Sequence, residues 1–246
     1  MDRTTKPTQR PRATRGDHPA TSGEGAPALP DGAAVVAFHR TCLAEPGWPH
    51  PGEATRAAAD AADVWHWIRA NHRFNSLLWA EEDLARRTRV ADADIAANKR
   101  AIDGYNQARN DATERVDEIL LVALGLVDPS SIGTDAPRST AAAGARLNSE
   151  TAASMLDRMS ILSLKVDAME RQTRRTDVDD EHLRSSRGRL ARLVEQRDDL
   201  AACFDGLLAD SRAGRAWFKV YRQFKMYNDP RFNPVLVAER AAPAPR

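Results

Sequence analysis

Apolar residues recur at spacings of three and four along most of the chain from Ala33 onward, which is the period of an amphipathic helix. No stretch alternates apolar and polar residues in the way that a half-buried strand does. The pattern therefore predicts an all-α protein, an antiparallel bundle of four long helices with a short helix at each end. The predicted helices span residues 33–45, 53–88, 92–126, 149–175, 177–211 and 214–227.

Shifts in composition divide the chain into a tail at each end and one domain. Residues 1–31 are rich in Pro, Gly, Thr and Arg and contain few large apolar residues, which predicts a disordered arm. Residues 32–236 are predicted to form a single helical domain, with a flexible linker at 128–148 that connects the two pairs of long helices. Residues 237–246 are predicted to be a tail.

Charged residues interrupt the apolar stripes that these helices would turn toward a core. Glu81, Arg109 and Arg197 each occupy a position that apolar neighbours assign to the interior, and Asp157 lies beside the core stripe of its helix. An unpaired buried ion costs several kcal/mol, so these residues must pair or line a polar cavity. Two interpretations stay open: a closed ionic network that fixes helix register, or a pocket between helices that binds an anionic small molecule.

The pocket interpretation assigns roles to polar residues on all of the long helices. Arg109 and Arg158 are expected to clamp an anion, because a planar guanidinium matches phosphate and carboxylate oxygens. Asp157 and Glu82 are the candidates for a general base, if a proton is transferred. The predicted ligand-binding residues are Glu81, Asn106, Arg109, Asn110, Arg158, Lys165, Arg197, Lys219, Tyr221, Lys225 and Tyr227.

The C-terminal stretch KVYRQFKMYNDPRFNPVL (219–236) interleaves basic and aromatic residues. We predict a short helix whose aromatic face closes the bundle, like a lid, while basic side chains such as Lys219, Arg222 and Lys225 point toward the pocket. Nucleic-acid binding through this stretch is disfavoured, because rings buried in a helical seam cannot stack on bases.

Five blocks of the sequence together resemble a known bacterial family, the domain of unknown function 4254, over about residues 60–236. The blocks read WAEEDLARR, KRAIDGYNQARNDATERVDEILL, LNSETAASMLDRMSILSLKVDAM, LVEQRDDLAACFDGLL and KVYRQFKMYNDPRFNPVL. The resemblance implies an all-helical bacterial protein of a family without an established activity, often encoded near carbohydrate or glycosyltransferase genes. The family's hallmark positions fall on Trp79, Glu82, Asp83, Arg86, Asn106, Arg109, Asp111, Asn148, Ser149, Asp157, Arg158, Lys165, Lys219, Tyr221, Lys225, Tyr227, Asn228 and Asp229.

Composition and motifs narrow the functional classes. The 36 Lys and Arg nearly cancel the 35 Asp and Glu, which argues against a general polyanion binder. No apolar run reaches the roughly 20 residues that span a bilayer, and the N-terminus has no signal-like segment, so a cytoplasmic location without a membrane partner is expected. Paired Glu-x-x-His motifs of a di-iron bundle are missing, and no metal or other cofactor is predicted. His66 and His72 are expected to be partly exposed helix residues.

The sequence thus favours a protein that binds a small phosphate- or carboxylate-bearing molecule, and it leaves open whether the protein is an enzyme. The alternative is a non-catalytic protein-interaction module whose buried charges only set helix register. Self-association is left open as well.

Overall fold

The computed structural model describes residues 29–50, 62–223, 226 and 229–241. Most of the described part is helical, as predicted, and it also contains two very short strands and connecting loops. The elements in chain order are α1 (Gly32–Leu43), α2 (Val64–Leu84), α3 (Asp92–Ala123), β1 (Arg146–Leu147), α4 (Ala152–Thr173), α5 (Asp180–Arg212), β2 (Ala216–Trp217) and α6 (Pro234–Ala241). A 3-10 turn, Pro129–Ser131, lies between α3 and β1. Residues 1–28 of the predicted arm lie outside the described residues.

The four long helices form two hairpins, α2 with α3 and α4 with α5. The hairpins meet where α4 packs on both α2 and α3, and α1 packs across α4 and α5. Short connections between consecutive helices favour such antiparallel neighbours. The largest fully buried core side chains include Ile68, Leu120, Met159, Phe204 and Phe218. None of the helices in the described ranges is long and apolar enough to cross a membrane.

The N-terminus of α1 is fixed against α5 by a glycine and two carboxylates. Asp31 caps the helix by accepting a hydrogen bond from the backbone N–H of Ala34 at 2.7 Å, and Asp205 accepts one from the N–H of Gly32 at 2.7 Å. A Cβ at position 32 would lie 2.7 Å from the backbone oxygen of Ala201. Only glycine therefore allows this close approach of α1 to α5.

The segment before α2 covers a face of that helix that the sequence assigned to solvent. Arg69 binds the Glu45 carboxylate with two hydrogen bonds of 2.7 Å, and Arg73 donates to the backbone oxygens of Pro49 and His50. The expectation that His72 is partly exposed is wrong, since its side chain is fully buried. The Trp48 ring stacks on His72. The cover over His72 therefore comes from chain outside the helix and not from the helix's own apolar stripe.

The predicted C-terminal helix at 214–227 is wrong over its described residues. Residues 216–217 form β2, which pairs in parallel with β1, placing Arg146 opposite Ala216 and Leu147 opposite Trp217. Burial alternates with period two, with Ala216, Phe218 and Val220 buried. Pairing with a distant segment supplies the backbone hydrogen bonds that a helix would otherwise have made.

A buried carboxylate joins the two hairpins at the start of α4. Asp117 on α3 accepts a hydrogen bond from the backbone N–H of Ala153 at 2.8 Å, one of the N–H groups that the helix itself cannot satisfy. Burial, reinforced by the charges of Glu114 and Glu118, raises the pKa of Asp117 to about 7. Hydrogen bonds from Thr151 and Ala153 oppose that rise.

Candidate functional site

A cavity of about 330 Å³ lies where α2, α3 and α4 meet. Its deep part is formed by Asn75, Leu78 and Leu164, which are buried, and by the half-buried Asn106, Arg109 and Ile161. Its rim is formed by four exposed residues of the last turns of α2 and the loop after it, Trp79, Glu82, Asp83 and Arg86. The cavity is therefore mixed in character, with polar and apolar groups at both depths.

The Arg109 guanidinium in this cavity is only partly satisfied by the protein. Its Nη2 donates a hydrogen bond to the Asn110 side-chain oxygen at 3.1 Å. Its Nε is buried without a hydrogen-bond partner, and the nearest carboxylate oxygen, Oδ1 of Asp157, lies 3.9 Å away. A guanidinium has five N–H donors, so most of this group's hydrogen-bonding capacity is unused by the described residues. Three quarters of the side chain is nevertheless buried.

Behind Arg109, a chain of polar contacts runs through the bundle toward α1. Asp157 accepts hydrogen bonds from the side-chain amides of Asn71 at 2.8 Å and Asn75 at 2.9 Å. The Asn75 amide also contacts the Ser160 hydroxyl at 3.0 Å, and that hydroxyl lies 2.7 Å from Nδ1 of His72. Asp157 does not itself line the cavity, but it touches two residues that do.

Two stacked histidines end this chain of contacts. The rings of His39 and His72 lie 4.3 Å apart between centroids, and both side chains are fully buried. Burial lowers the pKa of His72 to about 3, and burial together with the neighbouring His72 lowers that of His39 well below its usual value. Both rings are therefore neutral near pH 7. The chain of contacts is a structural support behind the cavity, and it supplies no positive charge to it.

The rim combines an ion pair, a carboxylate without a side-chain partner and an exposed indole. Arg86 donates to the Glu82 carboxylate at 3.0 Å, one helical turn away. The Asp83 carboxylate makes no hydrogen bond or ion pair within the described ranges. The Trp79 side chain is 37% exposed.

The structure brings together only some of the residues predicted to bind a ligand. Arg109, Asn106 and Glu82 line the cavity, while Asn110 and Asp157 contact Arg109 from behind. The closed ionic network of Glu81, Arg109, Asp157 and Arg197, one of the two interpretations left open by the sequence, does not form. Glu81 instead accepts a hydrogen bond from Asn98 at 2.6 Å, and Arg197 pairs with the adjacent Asp198 at 2.9 Å.

The remaining predicted residues lie elsewhere. Arg158 and Lys165 line a second cavity of about 760 Å³ between α4 and α5, which shares Ile161 with the first, and Arg158 pairs there with Glu150. Lys219 lies 4.9 Å from the centre of the Trp217 ring, beside β2, and Tyr221 is half exposed. Lys225 and Tyr227 lie outside the residues that the structure describes.

Helical spacing missed several residues of the cavity and its support. Trp79, Asp83 and Arg86 were indicated only by the family resemblance, since exposed residues at a helix end carry no periodic signal. Asn71 and Asn75 did carry one, because they interrupt an otherwise apolar row of α2. The described residues contain no group of three or more His, Cys, Asp or Glu side chains able to hold a metal ion.

Comparison with known proteins adds a family but no relative of known function. No curated protein and no solved structure matches this chain. A family profile matches residues 65–220, which is more than half of the chain and includes every residue that lines the cavity. The chain therefore belongs to the family described as "Protein of unknown function (DUF4254)".

Proposed function

We propose that the cavity between α2, α3 and α4 binds a small molecule that carries a phosphate or carboxylate group. The observation that carries this proposal is the state of Arg109. Its guanidinium lines the cavity with one hydrogen bond made and its nearest carboxylate oxygen 3.9 Å away. Buried donors are normally satisfied, and the oxygens of an anionic ligand would satisfy the free N–H groups.

The neighbours of Arg109 support binding and orientation of such a ligand. The Asn106 amide lines the cavity and has no hydrogen-bond partner among the described residues, so it can both donate and accept. Asp157, fixed by two amide hydrogen bonds, places a carboxylate oxygen 3.9 Å from Nε of Arg109. Because three quarters of the Arg109 side chain is already buried, it loses little side-chain entropy when a ligand binds.

Catalysis stays a prediction. Of the two candidate bases, Glu82 lines the cavity and is the one that a bound molecule can reach directly. Asp157 lies behind Arg109 and already accepts two hydrogen bonds, so we assign it the role of positioning Arg109. Arg158 and Lys165, in the cavity on the other side of α4, are not part of the proposed site.

The test compares two arginines of similar burial. Arg109→Met removes the proposed anion ligand, whereas Arg197→Met removes a guanidinium whose side chain is 17% exposed, against 25% for Arg109, and which lines a different cavity. The melting temperature of each purified full-length variant is measured with increasing inorganic phosphate, ribose 5-phosphate and citrate. Circular dichroism establishes that each variant is folded.

At least one anion is expected to stabilise the parent and Arg197→Met by about 2.7 kcal/mol at a hundred times its Kd. The same anion is expected to leave Arg109→Met unshifted. An equal shift in a folded Arg109→Met, or the lack of any shift in the parent, would refute the proposal.

A further inference from the structure

We infer that the ligand of this cavity is a phosphomonoester of a compound that contains a ring and carries hydroxyl or amino groups. Its single phosphate binds Arg109, its ring stacks on Trp79 and its donor groups bind Asp83. The inference rests on the proposed function and narrows it from small anions in general to one class. It is carried by the distribution of apolar surface, charge and depth in the cavity.

The apolar wall of the cavity indicates a ring. Leu78 and Leu164 are each 8% exposed and, with Ile161, supply the apolar side chains of the deep part of the cavity. The Trp79 indole adds apolar surface at the rim, where more than a third of the side chain is open to solvent. An exposed indole in a concave site presents a flat π-face, which is the surface that nucleobases and the C–H faces of sugar rings stack against. A bare phosphate or a short carboxylate would leave this wall uncovered.

The charges of the lining limit the ligand to one anionic group. The lining holds two guanidinium and two carboxylate groups, and Asp157 adds a third carboxylate 3.9 Å from Arg109. Arg86 is already neutralised by Glu82 at 3.0 Å. A second or third phosphate would therefore meet carboxylates and not free cations, and like charges in contact disfavour such a partner.

The unpaired Asp83 carboxylate calls for hydrogen-bond donors on the ligand. An ionised carboxylate only accepts hydrogen bonds, and no described side chain donates to this one. Hydroxyl groups of a sugar or the amino group of a base are such donors, and bonds to a charged acceptor are among the stronger ones.

Depth sets the orientation of the ligand. Arg109 and Asn75 lie in the inner part, while Trp79 and Asp83 lie on the rim. The phosphate therefore enters first, and the ring and its donors remain near the mouth. With about 330 Å³ available, the cavity is at the lower end of the range for small-molecule sites.

The test is isothermal titration calorimetry of the full-length parent with four probes: inorganic phosphate, ribose 5-phosphate, uridine monophosphate and uridine triphosphate. We expect ribose 5-phosphate, uridine monophosphate or both to bind at least tenfold more tightly than inorganic phosphate. Equal binding of both assigns the stacked ring to the sugar, and tighter binding of uridine monophosphate assigns it to the base. The triphosphate is expected to bind no more tightly than the monophosphate.

Three variants connect these affinities to the rim. Trp79→Ala should weaken the binding of ribose 5-phosphate and uridine monophosphate about tenfold, as loss of one stacking contact does, and leave the binding of inorganic phosphate unchanged. Trp79→Phe should retain most of the affinity, because it keeps an aromatic face. Asp83→Asn should weaken the binding of both monophosphates and strengthen the binding of uridine triphosphate. Trp217→Phe, in the separate cavity beside β2, is the matched control and should change none of these values.

Two results would overturn the inference while the proposed function stands, provided that Arg109→Met abolishes binding in each case. One is that inorganic phosphate binds as tightly as both ribose 5-phosphate and uridine monophosphate. The other is that uridine triphosphate binds more tightly than uridine monophosphate. If Arg109→Met binds every probe as the parent does, or if no probe binds the parent, the proposed function fails and the inference fails with it.

Discussion

Replacement of Asp117 by Asn tests how a buried carboxylate holds the two hairpins together. The residue is 4% exposed and accepts a hydrogen bond from the N–H of Ala153 at the start of α4. Asparagine has nearly the same shape and keeps a side-chain oxygen that can accept this bond, but it cannot ionise. The substitution therefore removes the buried charge and retains the helix cap.

The expected size of the effect follows from the pKa. Burial raises the pKa of Asp117 from 3.8 to about 7, so the folded protein binds a proton that the unfolded chain has lost over that pH range. The stabilisation by the protonated form is fully present below pH 3.8 and is lost as the pH rises through about 7. At about 1.4 kcal/mol per pKa unit, this one group lowers the unfolding free energy by up to about 4 kcal/mol between those pH values.

Urea unfolding at pH 5 and pH 8, followed by circular dichroism, measures this difference. We expect Asp117→Asn to be more stable than the parent by about 4 kcal/mol at pH 8 and by less than about 2 kcal/mol at pH 5, where only the unfolded parent is ionised. Asp205→Asn is the matched control, because Asp205 makes the equivalent contact with the N–H of Gly32 from an exposed position. An offset between Asp117→Asn and the parent that is the same at both pH values would refute the reasoning.

Two further predictions concern packing and the C-terminal segment. Gly32→Ala should lower the unfolding free energy in urea by about 1–3 kcal/mol, because the new Cβ would lie 2.7 Å from the backbone oxygen of Ala201. Gly104→Ala, whose Cβ would have nothing within 4 Å, should be neutral or slightly stabilising, and equal effects of the two changes would contradict the argument. Arg222→Gln breaks two ion pairs to α3 with a side chain that is 15% exposed, so amide hydrogen exchange in β2 should accelerate about tenfold. Arg231→Gln removes an ion pair whose arginine side chain is 78% exposed, and it should leave that exchange unchanged. Unaltered exchange in Arg222→Gln would show that the ion pairs of Arg222 are not needed to hold β2 in place.

The helical stripes were predictable because they depend on local periodicity. On α3, the row that contains Ile102, Arg109, Ala112 and Val116 does face the interior, and the guanidinium in it does mark a polar site. The partner of that guanidinium was not predictable. Asp157 approaches Arg109 because α4 crosses α3 at that level, whereas Arg197, with the same sequence signature, pairs with the adjacent Asp198.

Burial on a second helix face required knowledge of distant chain. His72 and Ser76 look solvent-facing on α2, and only the packing of Trp48 over them shows that this face is covered. The C-terminal prediction failed for a related reason. The residues 216–220 can place apolar groups at helical spacing or at a period of two, and pairing with β1 selects the second.

By itself, the sequence determined the helical class, the approximate limits of the four long helices and the presence of ions among apolar neighbours, because each of these is set by residues within a few turns of one another. The tertiary structure alone decided which ions meet, which helix faces are covered and which residues share the cavity. Those features depend on contacts such as that between Arg109 and Asp157, which lie 48 positions apart, and the crossing of two helices brings them within 3.9 Å.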